Sequence, residues 1–403
     1  MTPDPDRREP HHASVSIATT REAVEALRGL WSRLAVPDID AELDYFLAVA
    51  ENAPQVVSPY VIRIKRGDGP DMLVVARLEN LPIRLRLGYW TFAGPVMRAV
   101  VVSFDGVLGA RSREDELLAM RELRHLLDIG EADLLLMRNV GGQTSLAAAA
   151  RQGVSKLRLA HGQPVERRWI AHLPGSLEAF LSSRSAKSRS SYRREDRLLH
   201  AAFAERLRMR RFELPEELDE LCRDMECVSA LTYQHALGAG FTNGAMERAL
   251  VSLGLRKGTY RCWMLYLDDR PVSFWAGMAH GDTFYPTTPG FDPRHGEYSI
   301  GRYTMFRMVE DLCAEPDLTR IDFGRGDAQY KTEYAVVSNE VSDLWVAARR
   351  SRPILVVSAL SILAFINRHG RRIAENRNWS ARIKSFWRRR LVAGADERER
   401  REA

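Results

Sequence analysis

Between Asp292 and Tyr334 the chain gathers side chains that could hold a phosphate and move a proton. His295-Gly296-Glu297-Tyr298-Ser299-Ile300-Gly301-Arg302 opens an apolar-periodic stretch that reads as a helix. A helix N-terminus collects unpaired N–H groups and a partial positive charge, so it favours a pyrophosphate. Gly296 and Gly301 allow close backbone approach, Ser299 can cap, Ile300 lies between them and Arg302 adds charge. Further on come Asp322-Phe323-Gly324-Arg325-Gly326-Asp327 and then Tyr330-Lys331. Carboxylates, a phenol and an amine are groups from which acid–base steps are built.

These groups need a strand, a turn, a helix and a second strand to hold them, and the pattern provides all four. Tyr260–Leu267 and Pro271–His280 read as a hairpin across Asp268-Asp269-Arg270, Asp282–Thr288 as a third strand, Ser299–Ala314 as a helix and Leu318–Phe323 as a strand. Upstream, Ser176–Leu181, Lys187–Leu207, Glu216–Leu237 and Asn243–Arg256 read as helices and Arg210–Leu214 as a strand. The first half has the same order. Val15–Thr20 is a strand, and helices follow from Thr20 to Leu34 and from Asp40 to Asn52. Val56–Lys65 and Met72–Glu79 are strands across Arg66-Gly67-Asp68-Gly69-Pro70, and Ile83–Phe92 is extended. Ser112–Leu127 is a helix before the strand Asp133–Met137. "EADLLLM" at Glu131 and "EPDLTRI" at Glu315 each follow a helix. The sequence therefore predicts a duplicated α/β (α+β) unit, with a junction near His161-Gly162-Gln163-Pro164.

At 403 residues the chain exceeds one ordinary domain, and its 45% hydrophobic and 28% charged residues exclude collagen-like, coiled-coil and wholly disordered classes. Cys222, Cys227, Cys262 and Cys313 show no paired spacing, and His11, His12, His235, His280 and His295 no ligand spacing, so neither disulfides nor metal are expected. Met1–His12 lacks an apolar signal segment, which predicts a cytoplasmic protein. The net charge of +6 is local: residues 349–403 carry +10, which leaves −4 for the rest. A body of that charge argues against a broad nucleic-acid footprint.

Three stretches resemble the CelD/BioF2-like branch of the GNAT acyltransferase superfamily, in which two GNAT-type units are often fused. They are "LPGSLEAFLSSRSAKSRSSYRREDRLL" (Leu173–Leu199), "WMLYLDDRPVSFWAGMAHGDTFY" (Trp263–Tyr285) and "IDFGRGDAQYKTEY" (Ile321–Tyr334). The resemblance implies two tandem GNAT-like units, each a mixed, mostly antiparallel sheet flanked by helices. Their expected limits are 13–160, degenerate, and 161–346, after a disordered 1–12 and before a basic helical tail, 347–403. It implies transfer of an acetyl or other acyl group from a CoA thioester to an amine or hydroxyl of a small-molecule, sugar or cell-envelope acceptor. The CoA pyrophosphate would rest on Gly296, Ser299, Ile300, Gly301 and Arg302. The loop departs from the general Arg/Gln-x-x-Gly-x-Gly/Ala pattern, with Arg294-His295-Gly296-Glu297 and a later Gly301. Glu297, Asp322 and Asp327 are the candidate bases, Tyr330 the candidate acid, and Lys331 a ligand for phosphate or the acyl oxygen. The first unit, with only Gly106-Val107-Leu108-Gly109 before its helix region and Arg138-Asn139-Val140-Gly141-Gly142 after its strand, is expected to lack the donor. Fem-type transferases share the double-unit architecture and take their acyl group from aminoacyl-tRNA, which keeps that donor open. The basic run Arg184, Lys187, Arg189, Arg193, Arg194 and Arg197 could meet an anionic acceptor, the CoA 3′-phosphate or tRNA. A catalytically silent scaffold is the third alternative.

Ile354–Ile366 is the longest apolar run, interrupted by Ser358 and Ser361 and flanked by arginines. Its 13 residues rise about 20 Å, short of the ~30 Å hydrocarbon core. The expectation is a helix packed on protein, or one lying against the anionic inner face of the membrane.

Overall fold

The structure, a computed structural model, describes residues 14–66, 70–88, 90–232 and 240–376. The expected disordered start at 1–12, the turn at 67–69, the helix end read to Leu237, His235 and the tail beyond 376 lie outside them. The chain divides into two compact units: Met1–Val165 with Glu340–Gly370, and Glu166–Asn339.

The first unit opens with β1 (Ser14–Ala18), short helices α1 (Arg21–Glu25) and α2 (Arg28–Trp31), and α3 (Leu43–Asn52). Thr20 caps α1 as its sequence predicts, accepting from Ala23 N at 3.2 Å. Next come β2 (Val56–Lys65), β3 (Met72–Leu87) and β4 (Trp90–Leu108), all antiparallel neighbours. The helix α4 (Arg113–Asp128) then crosses to β5 (Leu134–Gly141), which pairs parallel to β4 before α5 (Ser145–Arg151). Ser112 and Asp115 close a capping box at the start of α4, satisfying two end donors reciprocally.

The second unit follows the same order. β6 (Glu166–His172), α6 (Leu177–Ser182) and α7 (Ala186–Phe203) lead to β7 (Leu207–Phe212), α8 (Leu218–Ala230) and α9 (Ala245–Arg256). The strands β8 (Tyr260–Leu267), β9 (Arg270–His280) and β10 (Thr283–Pro286) form a meander, and β11 (Gly290–Phe291) returns to β9. Then α10 (Ile300–Cys313) crosses to β12 (Arg320–Arg325), parallel to β10, and α11 (Gln329–Tyr334) follows. The chain ends with β13 (Val336–Ala347), whose later part pairs β5 in the first unit, and α12 (Ser351–Asn376). Two copies of an antiparallel meander, a crossover helix and a parallel strand are the tandem GNAT-like order the sequence predicts.

Strand periodicity builds the cores. In β5, Leu135 and Met137 face Met120, Leu123 and Leu127 of α4, while Leu134 and Leu136 pack with Val356 and Val357 of α12. In the second unit Trp169, Trp263, Trp275, Phe284 and Ile321 pack on Met305, Phe306, Val309 and Leu312 of α10. The opposite face receives Leu221, Cys222, Met225 and Val228 of α8, and Tyr260 donates to Met225 Sδ at 3.7 Å.

Candidate active site

The parallel pairs of the two units differ at one point. β4 and β5 stay zipped over Ala99–Val102 against Leu134–Met137. β10 and β12 pair only at Thr283–Arg320 and Phe284–Ile321, although β10 continues on β9 to Pro286 and β12 on β6 to Arg325. The cause is local. Pro286 pairs Gly277 and Gly290 pairs Phe274, so one strand has an extra residue there, and such a bulge bends it. Thr287 N bonds Ala276 O at 2.8 Å within the bend. The bend needs Gly277, because a Cβ there would meet Tyr285 O at 2.4 Å. β12 carries its own irregularity between Asp322 and Gly324. The strands therefore splay into a gap flanked by Tyr285 and Pro286 on one side and Asp322, Phe323 and Gly324 on the other.

The N-terminus of α10 is held beside this region through Trp275 of β9. Its Nε1 donates to Gly301 O at 2.9 Å, and its ring meets Phe323 and Tyr330 edge-on at 6.0 and 5.2 Å. Ser299 sits in the left-handed region (φ 54°, ψ 36°), so the expected side-chain cap is absent and the backbone turns instead. Arg302 N and Tyr303 N return to Ser299 O at 2.9 and 3.0 Å. Ile300 is buried among Leu199, Leu265 and Val272, which leaves only its backbone for a ligand. Gly301 lies under the Phe291 ring, 3.2 Å from where a Cβ would be, whereas Gly296 and Glu297 are exposed on a 3-10 turn. Arg302 faces Glu195 of α7 at 3.3 Å, so its charge is already matched. Tyr192, Glu195, Asp196, Tyr298, Ser299, Arg302 and Tyr303 leave a cavity of only about 10 Å³ between α7 and this terminus.

The candidate acid–base groups gather around β6. Arg168 holds Asp322 Oδ2 at 2.6 Å through Nε, and Asp322 Oδ1 accepts from Gly324 N at 2.8 Å. Both oxygens are therefore engaged in shaping the bend of β12. Asp327 Oδ1 accepts from Trp169 Nε1 at 3.1 Å. Lys331 is buried and donates to Arg325 O at 2.8 Å. Burial pushes its ammonium below the ordinary value of 10.5, against the pull of Asp322, Glu166 and Asp327. Arg168 and Trp169 had no local signal in the sequence, and Arg168 meets its carboxylate partner from 154 positions away; Glu195 and Trp275 lie in a readable helix and strand, with nothing local to mark their contacts. Among the described residues there is no cluster of three His, Cys, Asp or Glu placed to hold a metal ion.

Residues 186–332 match the acetyltransferase (GNAT) domain. No protein of curated function matches the chain in sequence. Among solved structures it is similar to FemX, with a TM-score of 0.55 and 11% identity over 83% of this chain and 98% of that one. It is similar also to a conserved protein of unknown function from Bacteroides thetaiotaomicron VPI-5482, with a TM-score of 0.51 and 12% identity over 83% of this chain and 100% of that one. Residues 186–332 thus match a GNAT-type acetyltransferase domain, in a chain whose fold is similar to that of FemX.

Proposed function

We propose that the second unit transfers an acyl group from a CoA thioester to an amine or hydroxyl of a small-molecule, sugar or cell-envelope acceptor, as in CelD/BioF2-like proteins. The splay of β10 from β12 beside the α10 N-terminus carries this reading. Past Phe284 and Ile321 the two strands do not pair with each other, and this is where a slender arm such as that of CoA would enter. Gly296, Ser299, Gly301 and the backbone of Ile300 would meet the pyrophosphate, with Arg302 released from Glu195 to add charge.

With Asp322 locked by Arg168, the base falls to Asp327 or Glu297, both exposed. The base takes a proton from the acceptor as nitrogen or oxygen attacks the thioester carbonyl. Lys331 stabilises the oxygen as negative charge builds on it. The carbon–sulfur bond breaks, and Tyr330 protonates the departing thiolate. The first unit, whose parallel strands stay paired over four residues, binds no donor.

The test is titration with acetyl-CoA alongside thiol release. Glu195→Gln, by freeing Arg302, is expected to tighten acetyl-CoA binding about tenfold, and Arg302→Gln to weaken it about tenfold, some 1.4 kcal/mol each. If neither variant differs from wild type, the donor does not use this terminus.

One observation favours a second donor. Lys187, Arg193, Arg194 and Arg197 lie exposed along α7 while Glu195 and Asp196 turn inward, and the fold is similar to that of FemX. An aminoacyl-tRNA would use this stripe, and its turnover would fall steeply with salt. Thiol release from acetyl-CoA with no aminoacyl-tRNA turnover excludes that donor. In either case the basic tail would suit a cytoplasmic protein peripheral to the inner face of the membrane.

A further inference from the structure

α12 carries two apolar faces, and the first unit uses one. Val356 and Val357 are buried against Ile83, Met97, Val101, Leu134 and Leu136. Leu355, Ile362, Phe365 and Ile366 remain exposed on the other side. By length and composition Ser351–Gly370 could cross a membrane, but crossing would strip the buried valines from their core.

The hairpin arm of β3 and β4 extends this exposed face. The register pairs Leu85 with Phe92 and Leu87 with Trp90, so by strand alternation both aromatics share the face of Ile83 and Leu85. That face meets the helix: Ile83, Leu85, Pro95, Leu355, Val356 and Ala359 line a shallow groove of about 320 Å³. Asn367 fixes the alignment, donating to Arg86 O at 2.8 Å and accepting from Gly88 N at 2.7 Å. Trp90, Phe92, Leu355, Ile362 and Phe365 are 51–68% exposed along it.

The surrounding charge has one sign. No acidic residue occurs in 81–98 or 351–370; Arg352 and Arg368 are exposed on α12 beside the strip, and Arg84 and Arg86 are exposed on the other face of the arm. An apolar strip with aromatic residues and a cationic border fits an anionic bilayer surface. We infer that the arm of β3 and β4 and the outer side of α12 together form an in-plane docking surface for an anionic lipid bilayer. This deepens the membrane location proposed above and does not depend on the acyl donor.

Flotation of the full-length protein with vesicles of phosphatidylcholine and phosphatidylglycerol tests it, with pure phosphatidylcholine vesicles as control. Wild type is expected to float with the anionic vesicles, to release at 0.5 M salt and to ignore the neutral ones. Trp90→Ala with Phe92→Ala, both exposed, should cut flotation at least tenfold while thiol release from acetyl-CoA stays at the wild-type level. Three results overturn the inference. No flotation of wild type removes the membrane location as well. Undiminished flotation of the double variant leaves attachment to residues 377–403 alone. A wild-type dimer that the double variant converts to monomer makes the strip a contact between copies.

Discussion

Lys331 is the residue at which burial and charge oppose each other most directly. Its ammonium is desolvated, and the neighbouring carboxylates do not fully compensate, so its pKa falls below 10.5 in the folded state. The unfolded chain then binds more protons across the interval between the two values, and stability rises with pH there. Below the folded value the cost of burying the charge is fully present. Lys331→Met removes this dependence, so wild-type stability relative to the variant should increase from pH 8 to pH 10.5. Urea midpoints of both proteins across that range measure it, and parallel curves would show the amine ordinary. The lysine was legible because it follows the Gly-Asp and Tyr pattern closely in sequence. What holds its carboxylate neighbours was not, since Arg168 and Trp169, which bond Asp322 and Asp327, lie on a strand that no run of alternation announced. Asp322 shows the consequence: sequence alone offers a carboxylate for proton transfer, and only the ion pair to Arg168 shows both oxygens taken.

At the scale of elements, a gap in one unit and a zipped pair in the other follow from whether a strand can bend. Gly277→Ala would force Tyr285 O away from 2.4 Å, and strain of this kind costs about 1–3 kcal/mol. A lower melting temperature together with weakened acetyl-CoA binding is expected, whereas Gly296→Ala, with nothing within 4 Å, should match wild type in stability. Equal melting temperatures for both variants would show that β10 needs no close approach. The strands β2 and β8 to β10 and the helices α4 and α10 were readable because their periods, and the cap of α4, are local. The arm of β3 and β4 was not. Gly94-Pro95 resembles a turn but lies within β4, and the reversal falls between Leu87 and Trp90. β6 and β13 are hidden for a related reason: β6 is short and polar, β13 opens with exposed residues, and both gain their hydrogen bonds from distant strands.

For the whole molecule, duplication was visible in the matching order of elements, whereas the return of the chain to its first unit was not. Sequence made residues 347–403 a basic tail added after two finished units. The structure instead puts Glu340–Gly370 in the first unit. Val346 and Ala348 join the core of β2 to β5, and Val356 and Val357 join the core behind β4 and β5. Truncation after Ala348 would expose Ile83, Met97, Val101, Leu134 and Leu136. Fully burying one Val or Leu side chain contributes about 1.5–3 kcal/mol, so two buried valines with part of Ile354 and Leu360 amount to about 5 kcal/mol. Native stabilities run about 5–15 kcal/mol, so this loss is severe. Amide protection in β4 and β5 should therefore collapse in the truncated chain. Protection in β8 and β9, whose core is built from Trp263, Trp275 and Phe284 with α10, should persist. Removing only residues 377–403 should leave both regions protected. Full protection of β4 and β5 after the longer truncation would show that α12 is an appendage, and its outer apolar face would then need no second partner to hold it in place.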